Sequence, residues 1–139
     1  MENQEEFGWV ETRTCKICKK CKEITEFTKR EIIQGKQIYR YRCRECTAEL
    51  NKKRRIELLN YTDSYKKATP CQKCGFDDFR ALQFHHINRE DKSFTISEAV
   101  KNRISLNTIS REIKKCLILC ANCHQILHWN ERNQAEMVE

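Results

Sequence analysis

Ten cysteines dominate the chemistry available to this chain of 139 residues, and most of them stand in pairs separated by two residues. Such a pair can direct two thiolates at one ion, and two pairs complete a tetrahedral site of four sulfurs, which favours zinc. Near the N-terminus two pairs overlap, Cys15 with Cys18 or Cys18 with Cys21. The remaining pairs are Cys43 with Cys46, Cys71 with Cys74 and Cys120 with Cys123.

The pairs predict two structural zinc sites, one in each half of the chain. The predicted ligands are Cys18, Cys21, Cys43 and Cys46 in the first site, and Cys71, Cys74, Cys120 and Cys123 in the second. In small peptides a structural zinc ion binds with about 10–16 kcal/mol of apparent free energy. Zinc would therefore support a chain that is only 39% hydrophobic and 34% charged.

Cys15 and Cys116 remain outside these sets. The run of Cys15, Cys18 and Cys21 also resembles part of a ferredoxin iron–sulfur motif, although the closing Cys-Pro is absent. Cys116 precedes an apolar segment and is expected to pack as a small buried hydrophobe. Segment 120–124 has the spacing of c-type haem attachment, which requires export, and no export signal is present.

All four histidines lie in the second half of the chain, as two pairs that flank parts of the second predicted zinc site: His85 with His86, and His124 with His128. His128 follows His124 by one helical turn, so both would share a helix face. Zinc bound by the second cysteine set would bring the two pairs together. Histidines also serve as zinc ligands, helix caps or core residues, but four on one scaffold indicate a separate reactive site.

Segments 82–87 (LQFHHI) and 120–128 (CANCHQILH) resemble the HNH endonucleases with a ββα-metal core, and the Cys71/Cys74 pair resembles their zinc-containing branch. The cysteines and the Glu26-Phe27 pair of residues 15–50 resemble an extra zinc ribbon that precedes some phage-encoded HNH domains. The resemblance implies a small, zinc-stabilised α+β fold. Its expected parts are an N-terminal zinc ribbon (11–50), a basic linker helix (47–66) and a C-terminal ββα-metal (HNH) nuclease domain (67–139).

The resemblance also implies roles for the histidines. His86 stands at the position of the general base, and His85 and His124 at those of catalytic metal ligands, with His128 as a further candidate. The implied reaction is hydrolysis of DNA phosphodiester bonds, by nicking or double-strand cleavage, to a 5′-phosphate and a 3′-hydroxyl. An ordinary histidine, with a pKa of about 6.5, can take a proton from water near neutral pH.

A catalytic divalent ion is implied as well, because the scissile phosphate and the leaving oxygen gain negative charge during cleavage. Mg²⁺ prefers oxygen ligands, so imidazoles favour Mn²⁺, Ni²⁺, Co²⁺ or Zn²⁺. The middle asparagine of the HNH motif, which supports the loop of the base, has no clean counterpart. Lys115 stands near its position and would contact a phosphate instead, with Asn102 and Asn107 as nearby candidates.

Local patterns predict the elements that position these residues. Ser97 is expected to cap a short helix that has Glu98 near its start. The other predicted elements are a hairpin around Gly35, a strand over 81–87, and helices over 107–115 and 120–132.

The net charge of +7 is unevenly distributed along the chain. Residues 11–60 hold 15 Lys and Arg against 7 Asp and Glu, whereas both termini are acidic. This pattern suits a polyanionic partner, and we expect DNA. The predicted DNA contacts are Lys52, Lys53, Arg54, Arg55, Lys92 and Lys115.

Two rival functions are compatible with the same residues. One is a non-catalytic zinc protein that binds DNA or RNA, against which the histidine set argues. The other is a protein–protein adaptor built on zinc modules, against which the basic charge argues mildly. The N-terminus lacks a secretory signal and no apolar run approaches membrane-spanning length, so we expect an intracellular location, in a bacterial or phage-infected cell, and no membrane partner.

Overall fold

The computed structural model describes the backbone of residues 10–136 and the side chains of residues 10–133. The fold is a small α+β one, and the chain divides into two compact units, Met1–Lys53 and Arg54–Glu139. Each unit contains one cluster of four cysteines that could bind zinc. In the part of the chain that the structure describes, every helix is too short or too polar to cross a bilayer.

Two antiparallel hairpins form the strands of the first unit. β1 (Thr12–Thr14) pairs with β2 (Cys21–Glu23), and β3 (Phe27–Ile33) pairs with β4 (Lys36–Cys43) after a 3-10 turn at Ile24–Glu26. Gln34 and Gly35 connect β3 to β4 with φ angles of 48° and 75°. Two successive residues at positive φ match the twist of a tight hairpin. The hairpin predicted around Gly35 is therefore confirmed.

The helix α1 (Arg44–Ala68) begins directly after β4 and ends in the second unit. It includes the helix predicted over 47–66 and is a few residues longer at each end. The second half of α1 is more than a linker between the two units. Leu58 is 1% exposed and packs in the core of the second unit with Tyr61 and Tyr65. The helix is thus a structural part of that unit.

A strand pair followed by a helix carries Cys120 and Cys123 of the second cysteine cluster, and Cys71 and Cys74 precede the first of these strands. β5 (Leu82–His86) pairs antiparallel with β6 (Cys116–Cys120), and α4 (Ala121–Glu136) follows β6 without a loop. A 3-10 turn at Phe79–Ala81 precedes β5. The strand predicted over 81–87 is confirmed. β6 was not predicted, because a five-residue apolar run looks the same in a strand and in a buried helix.

Two short helices, α2 (Ile96–Lys101) and α3 (Leu106–Ile113), lie between β5 and β6 in sequence. Ser97 was predicted as the cap of α2, and this is wrong. Thr95 caps the helix, since its side chain accepts the N–H of Glu98 while the Glu98 carboxylate accepts the N–H of Thr95. This reciprocal capping box satisfies two backbone donors and fixes where α2 begins.

Candidate functional site

The first cysteine cluster comprises Cys15, Cys18, Cys43 and Cys46, whose sulfur atoms all lie within 4.8 Å of one another. The backbone N–H of Cys43 donates to Sγ of Cys15 over 3.3 Å. Burial on its own would raise the pKa of the Cys15 thiol, but hydrogen bonds from the backbone of Cys43, Cys18 and Ile17 lower it to about 6. This environment favours the thiolate, which is the form that binds zinc.

The first site corrects one predicted ligand, since Cys15 replaces Cys21. Cys15 is fully buried, whereas Cys21 is exposed. The reason is the register of the first hairpin, in which Cys21 pairs with Thr14 as the first residue of β2. The turn between the strands is closed by the N–H of Lys19, which donates to the carbonyl of Cys15 over 2.9 Å. The ligand pair therefore comes from the turn, as Cys15 and Cys18.

Zinc content distinguishes the two possible ligand pairs. Cys15→Ser is expected to lower the zinc content from two ions per chain to one, because it removes a fully buried member of the first cluster. Cys21→Ser is the matched control and is expected to keep both ions. Elemental analysis of the purified variants measures this directly. The opposite pattern, with Cys21 required and Cys15 dispensable, would contradict the assignment.

The second cysteine cluster contains the four predicted residues, Cys71, Cys74, Cys120 and Cys123. Gly75 closes the first turn with φ 79°, and its N–H donates to the carbonyl of Cys71 over 2.8 Å. The N–H of Cys123 donates to Sγ of Cys120 over 3.4 Å. Burial would raise the pKa of Cys71, but backbone hydrogen bonds, that of Cys120 foremost, lower it to about 6. Four sulfurs from two such turns suit zinc.

Cys116 lies outside both clusters. It packs against the core formed by α1, α2 and α3, as expected for a small hydrophobic side chain. Burial raises the pKa of its thiol to about 11. Cys116 is therefore a packing residue and a useful control for the cysteines of the clusters.

Three histidines, His85, His124 and His128, form a third group whose nitrogen atoms all lie within 4.8 Å of one another. His85 comes from β5, and the other two lie one turn apart on α4. The ring centroids of His124 and His128 are 4.4 Å apart, and His85 lies 5.1 Å and 4.8 Å from them. Burial lowers the pKa of His85 and of His124, which favours the neutral imidazole that binds metal ions.

The histidine group fits a divalent metal ion. Nδ1 of His124 is buried and has no hydrogen-bond partner among the described residues. An unpaired buried nitrogen is destabilising unless an ion or a ligand satisfies it. Three imidazoles leave coordination positions open for water and phosphate, as a catalytic metal site requires. The three histidines could therefore hold a metal ion, and the catalytic role of that ion stays a prediction.

Glu131, which the sequence analysis did not identify, lies beside the histidine group. Its carboxylate oxygens are 3.4 Å from Nε2 of His85 and 3.1 Å from Nδ1 of His128, and it also accepts from Arg89 at 2.9 Å. Its position three residues after His128 on a helix is the sequence signal that could have found it. A carboxylate on the imidazole of a metal ligand fixes the orientation of the ring.

His86 lies outside the three-histidine group and contacts a buried carboxylate. Its Nε2 lies 2.9 Å from Oε1 of Glu112, and the two side chains are 8% and 3% exposed. Glu112 also accepts the N–H of Ser93 and the ammonium of Lys115, each over 2.9 Å. Burial would raise the pKa of Glu112, but these hydrogen bonds, with Lys115 the strongest, lower it to about 2. A charged carboxylate at Nε2 leaves Nδ1 as the nitrogen able to accept a proton.

Glu112 was also missed by the sequence analysis. It lies on the buried face of α3 beside Ile109 and Ile113. A carboxylate at a helix position that is otherwise apolar is the available signal. Its hydrogen bonds to His86 and Ser93 connect His86 to the loop that follows β5, and the family resemblance ascribes such support to an asparagine.

The other predicted residues occupy varied positions. The ammonium of Lys115 donates to Glu112 and to the carbonyl of Asp91, each over 2.9 Å, so its contact with a phosphate stays a prediction. Asn102 is the C-terminal cap of α2, and Asn107 lies in the first turn of α3. The exposed basic residues of α1 include the predicted run Lys52, Lys53, Arg54 and Arg55.

A groove of about 950 Å³ brings the histidines and several basic side chains together. His85, His86, His124 and His128 all line it. Its basic lining residues are Lys66, Arg80, Arg89 and Lys92. The groove thus places the three-histidine group, His86 and four cationic side chains around one cavity.

The chain was compared with models of known protein families, with curated proteins and with solved structures, and none of them matches. The HNH resemblance therefore rests on the short motifs of segments 82–87 and 120–128 and on the cysteine pairs.

Proposed function

We propose that this protein is a divalent-metal-dependent DNA endonuclease of the HNH type, with His86 as the general base. One observation carries the proposal. A three-histidine group that fits a metal ion and a histidine held by a buried carboxylate line the same basic groove. A protein that only binds nucleic acid needs neither the group nor the histidine–carboxylate pair.

The proposed mechanism assigns the proton to His86. Its Nδ1 would accept the proton of the attacking water, while Glu112 at Nε2 would stabilise the imidazolium that forms. Glu112 is a positioning residue, because it acts through His86. Attack of the water oxygen on phosphorus would break the bond to the 3′-oxygen, which would take a proton from a solvent water, and leave a 5′-phosphate and a 3′-hydroxyl.

The remaining residues of the groove would bind and orient the scissile phosphate. His85, His124 and His128 would hold a divalent ion, which supplies Lewis-acid stabilisation of the phosphate and the leaving oxygen. Arg89 and Lys92 line the same groove and would bind phosphate oxygens by charge.

The cysteine clusters would hold two structural zinc ions. Because α4 begins at the second cluster, zinc there would fix the turn that precedes His124. The reducing intracellular location expected from the sequence would keep the eight cluster cysteines available as thiolate ligands.

Relaxation of supercoiled plasmid by the full chain tests the proposal in a series with Mg²⁺, Mn²⁺, Ni²⁺, Co²⁺ and Zn²⁺. His124→Ala is expected to reduce nicking at low metal concentration by roughly 10- to 100-fold, since losing even an outer-shell contact weakens metal affinity by that factor. Excess Mn²⁺ is expected to restore part of the activity. The control is Gln125→Ala, which changes an exposed neighbour on α4. If the wild-type protein fails to cut DNA with every ion in the series, a non-catalytic zinc-dependent nucleic-acid-binding protein becomes the better assignment.

A further inference from the structure

A second groove, of about 630 Å³, adjoins the histidine groove within residues 54–139. The two share four lining residues, Lys66, Phe84, Ile96 and Ser97. One path therefore leads away from the histidines, past Lys66, to the second groove. Neither the metal ligands nor His86 line this second part.

One wall of the second groove is a face of α1. Arg55, Leu59, Asp63 and Lys66 line it at helical spacing. The helix rises 1.5 Å per residue, so Arg55 and Lys66 are separated by roughly 16 Å along its axis. Duplex DNA advances 3.4 Å per base pair, so this wall spans roughly five base pairs.

The opposite wall comes from α2 and the turn after it, and includes Ser97, Lys101 and Arg103. Arg103 has φ 56°, the left-handed conformation in which a helix usually ends on glycine. Its guanidinium donates to the carbonyl of Lys101 over 3.3 Å, yet the residue stays exposed. The chain thus keeps a cationic side chain at a backbone position that disfavours it, a pattern found at functional sites.

The charge of the lining is strongly one-sided. Arg55, Lys66, Lys101 and Arg103 are cationic, and Asp63 is the single acidic residue among the lining residues. The Asp63 carboxylate lies 4.0 Å from the ammonium of Lys66, so the acidic residue of the lining is paired with one of the four cations.

The floor of the second groove is apolar, with Phe84, Ile96 and Val100. The Lys66 ammonium lies 5.6 Å from the centre of the Phe84 ring, where the two grooves meet. Basic walls over an apolar floor suit a sugar–phosphate backbone, whose phosphates need cations and whose sugars tolerate apolar contact.

We propose that the second groove binds the sugar–phosphate backbone of the DNA strand whose scissile phosphate lies at the histidines. Arg55, Lys101 and Arg103 would each contact one phosphate on one side of the cleavage site. This inference rests on the proposed nuclease function and names the surface that holds its substrate.

Binding of a 20-base-pair duplex by the full chain, without added divalent ion, tests the proposal over a salt series. The triple variant Arg55→Gln, Lys101→Gln, Arg103→Gln is expected to bind roughly 10- to 100-fold more weakly and to flatten the log–log salt slope by about 2.7, which is 0.9 for each lost phosphate contact. The matched control, Lys67→Gln, Arg111→Gln, Lys114→Gln, loses the same charge from exposed positions outside both grooves. Its salt slope is expected to stay within error of wild type.

Arg55→Glu is a second variant, chosen so that a loss of DNA binding cannot be attributed to misfolding. Glutamate is a good helix former at this exposed position of α1, but in the second groove it repels phosphate, so we expect a stable protein with weaker DNA binding. If the triple variant and its matched control weaken DNA binding equally, the inference is overturned, because the loss of net charge alone would then explain the weaker binding. If the triple variant weakens DNA binding but the wild-type protein does not cleave DNA, only the nuclease proposal is overturned. If the wild-type protein cleaves DNA but the triple variant binds it as well as wild type does, only this inference is overturned.

Discussion

His86→Ala is expected to slow plasmid nicking by at least about 100-fold, the usual contribution of a positioned general base, while zinc content and DNA affinity stay unchanged. His86 belongs to neither cysteine cluster and lies outside the three-histidine group. Its removal also leaves Glu112 with two hydrogen-bond donors, the backbone N–H of Ser93 and the ammonium of Lys115, so the buried carboxylate stays paired with a cation. The loss should therefore fall on the chemical step.

Ile87→Ala is the matched control for this variant, because it truncates the exposed neighbour of His86 and is expected to cut at the wild-type rate. Circular dichroism and elemental analysis establish that both variants are folded and hold zinc. Excess Mn²⁺ should rescue His124→Ala in part but not His86→Ala, since only the former loses a metal ligand. If His86→Ala cleaves DNA at the wild-type rate, His86 is not the general base.

Cys71→Ser is expected to unfold the second unit, so that DNA cleavage and one of the two zinc ions are lost together. The side chain is 2% exposed and packs with Leu82, Ile118 and Leu119 around the second cysteine cluster. Zinc binding in small peptides is worth about 10–16 kcal/mol. A whole domain is stable by only about 5–15 kcal/mol, so the unit should not tolerate this loss.

Thermal unfolding followed by circular dichroism, with zinc measured on the same samples, provides the readout. Cys116→Ser is the matched control, since it changes a half-buried cysteine outside the clusters and is expected to retain both zinc ions and a cooperative transition. A Cys71→Ser protein with two zinc ions and a wild-type melting temperature would show that the second cluster is not a zinc site.

The second cysteine cluster could be predicted because cysteine pairs two residues apart are visible in the sequence, whereas His85 and His124 were assigned as metal ligands by the motif resemblance. The first cluster shows the limit of that reasoning. Cys15, Cys18 and Cys21 offer two pairs with identical spacing, and the choice depends on Cys21 pairing with Thr14 in a strand ladder. Such a register is a tertiary property, which spacing alone does not contain.

Glu112 and Glu131 show a second limit. In a chain with 20 acidic residues, a carboxylate that is buried against a histidine looks the same in sequence as one that faces solvent. Only the fold, which places α3 beside β5 and its following loop, gives Glu112 its three donors. The nuclease function itself came from the motif resemblance and stays a prediction until cleavage is measured.

The pairing of β5 with β6 makes the segment between them a closed insertion in the strand pair. His86 faces Cys116 in the ladder, and the N–H of Ile87 donates to the carbonyl of Lys115 over 3.0 Å, so residues 87–115 leave and rejoin the sheet at adjacent points. This insertion carries Lys101 and Arg103 but none of the histidines. Most of the buried core around Leu58 also comes from this insertion, namely Ile96, Ala99, Val100, Ile109 and Ile113. Evolution or protein engineering can therefore vary its exposed positions while the histidines keep their places, provided that these core residues and Glu112 are retained.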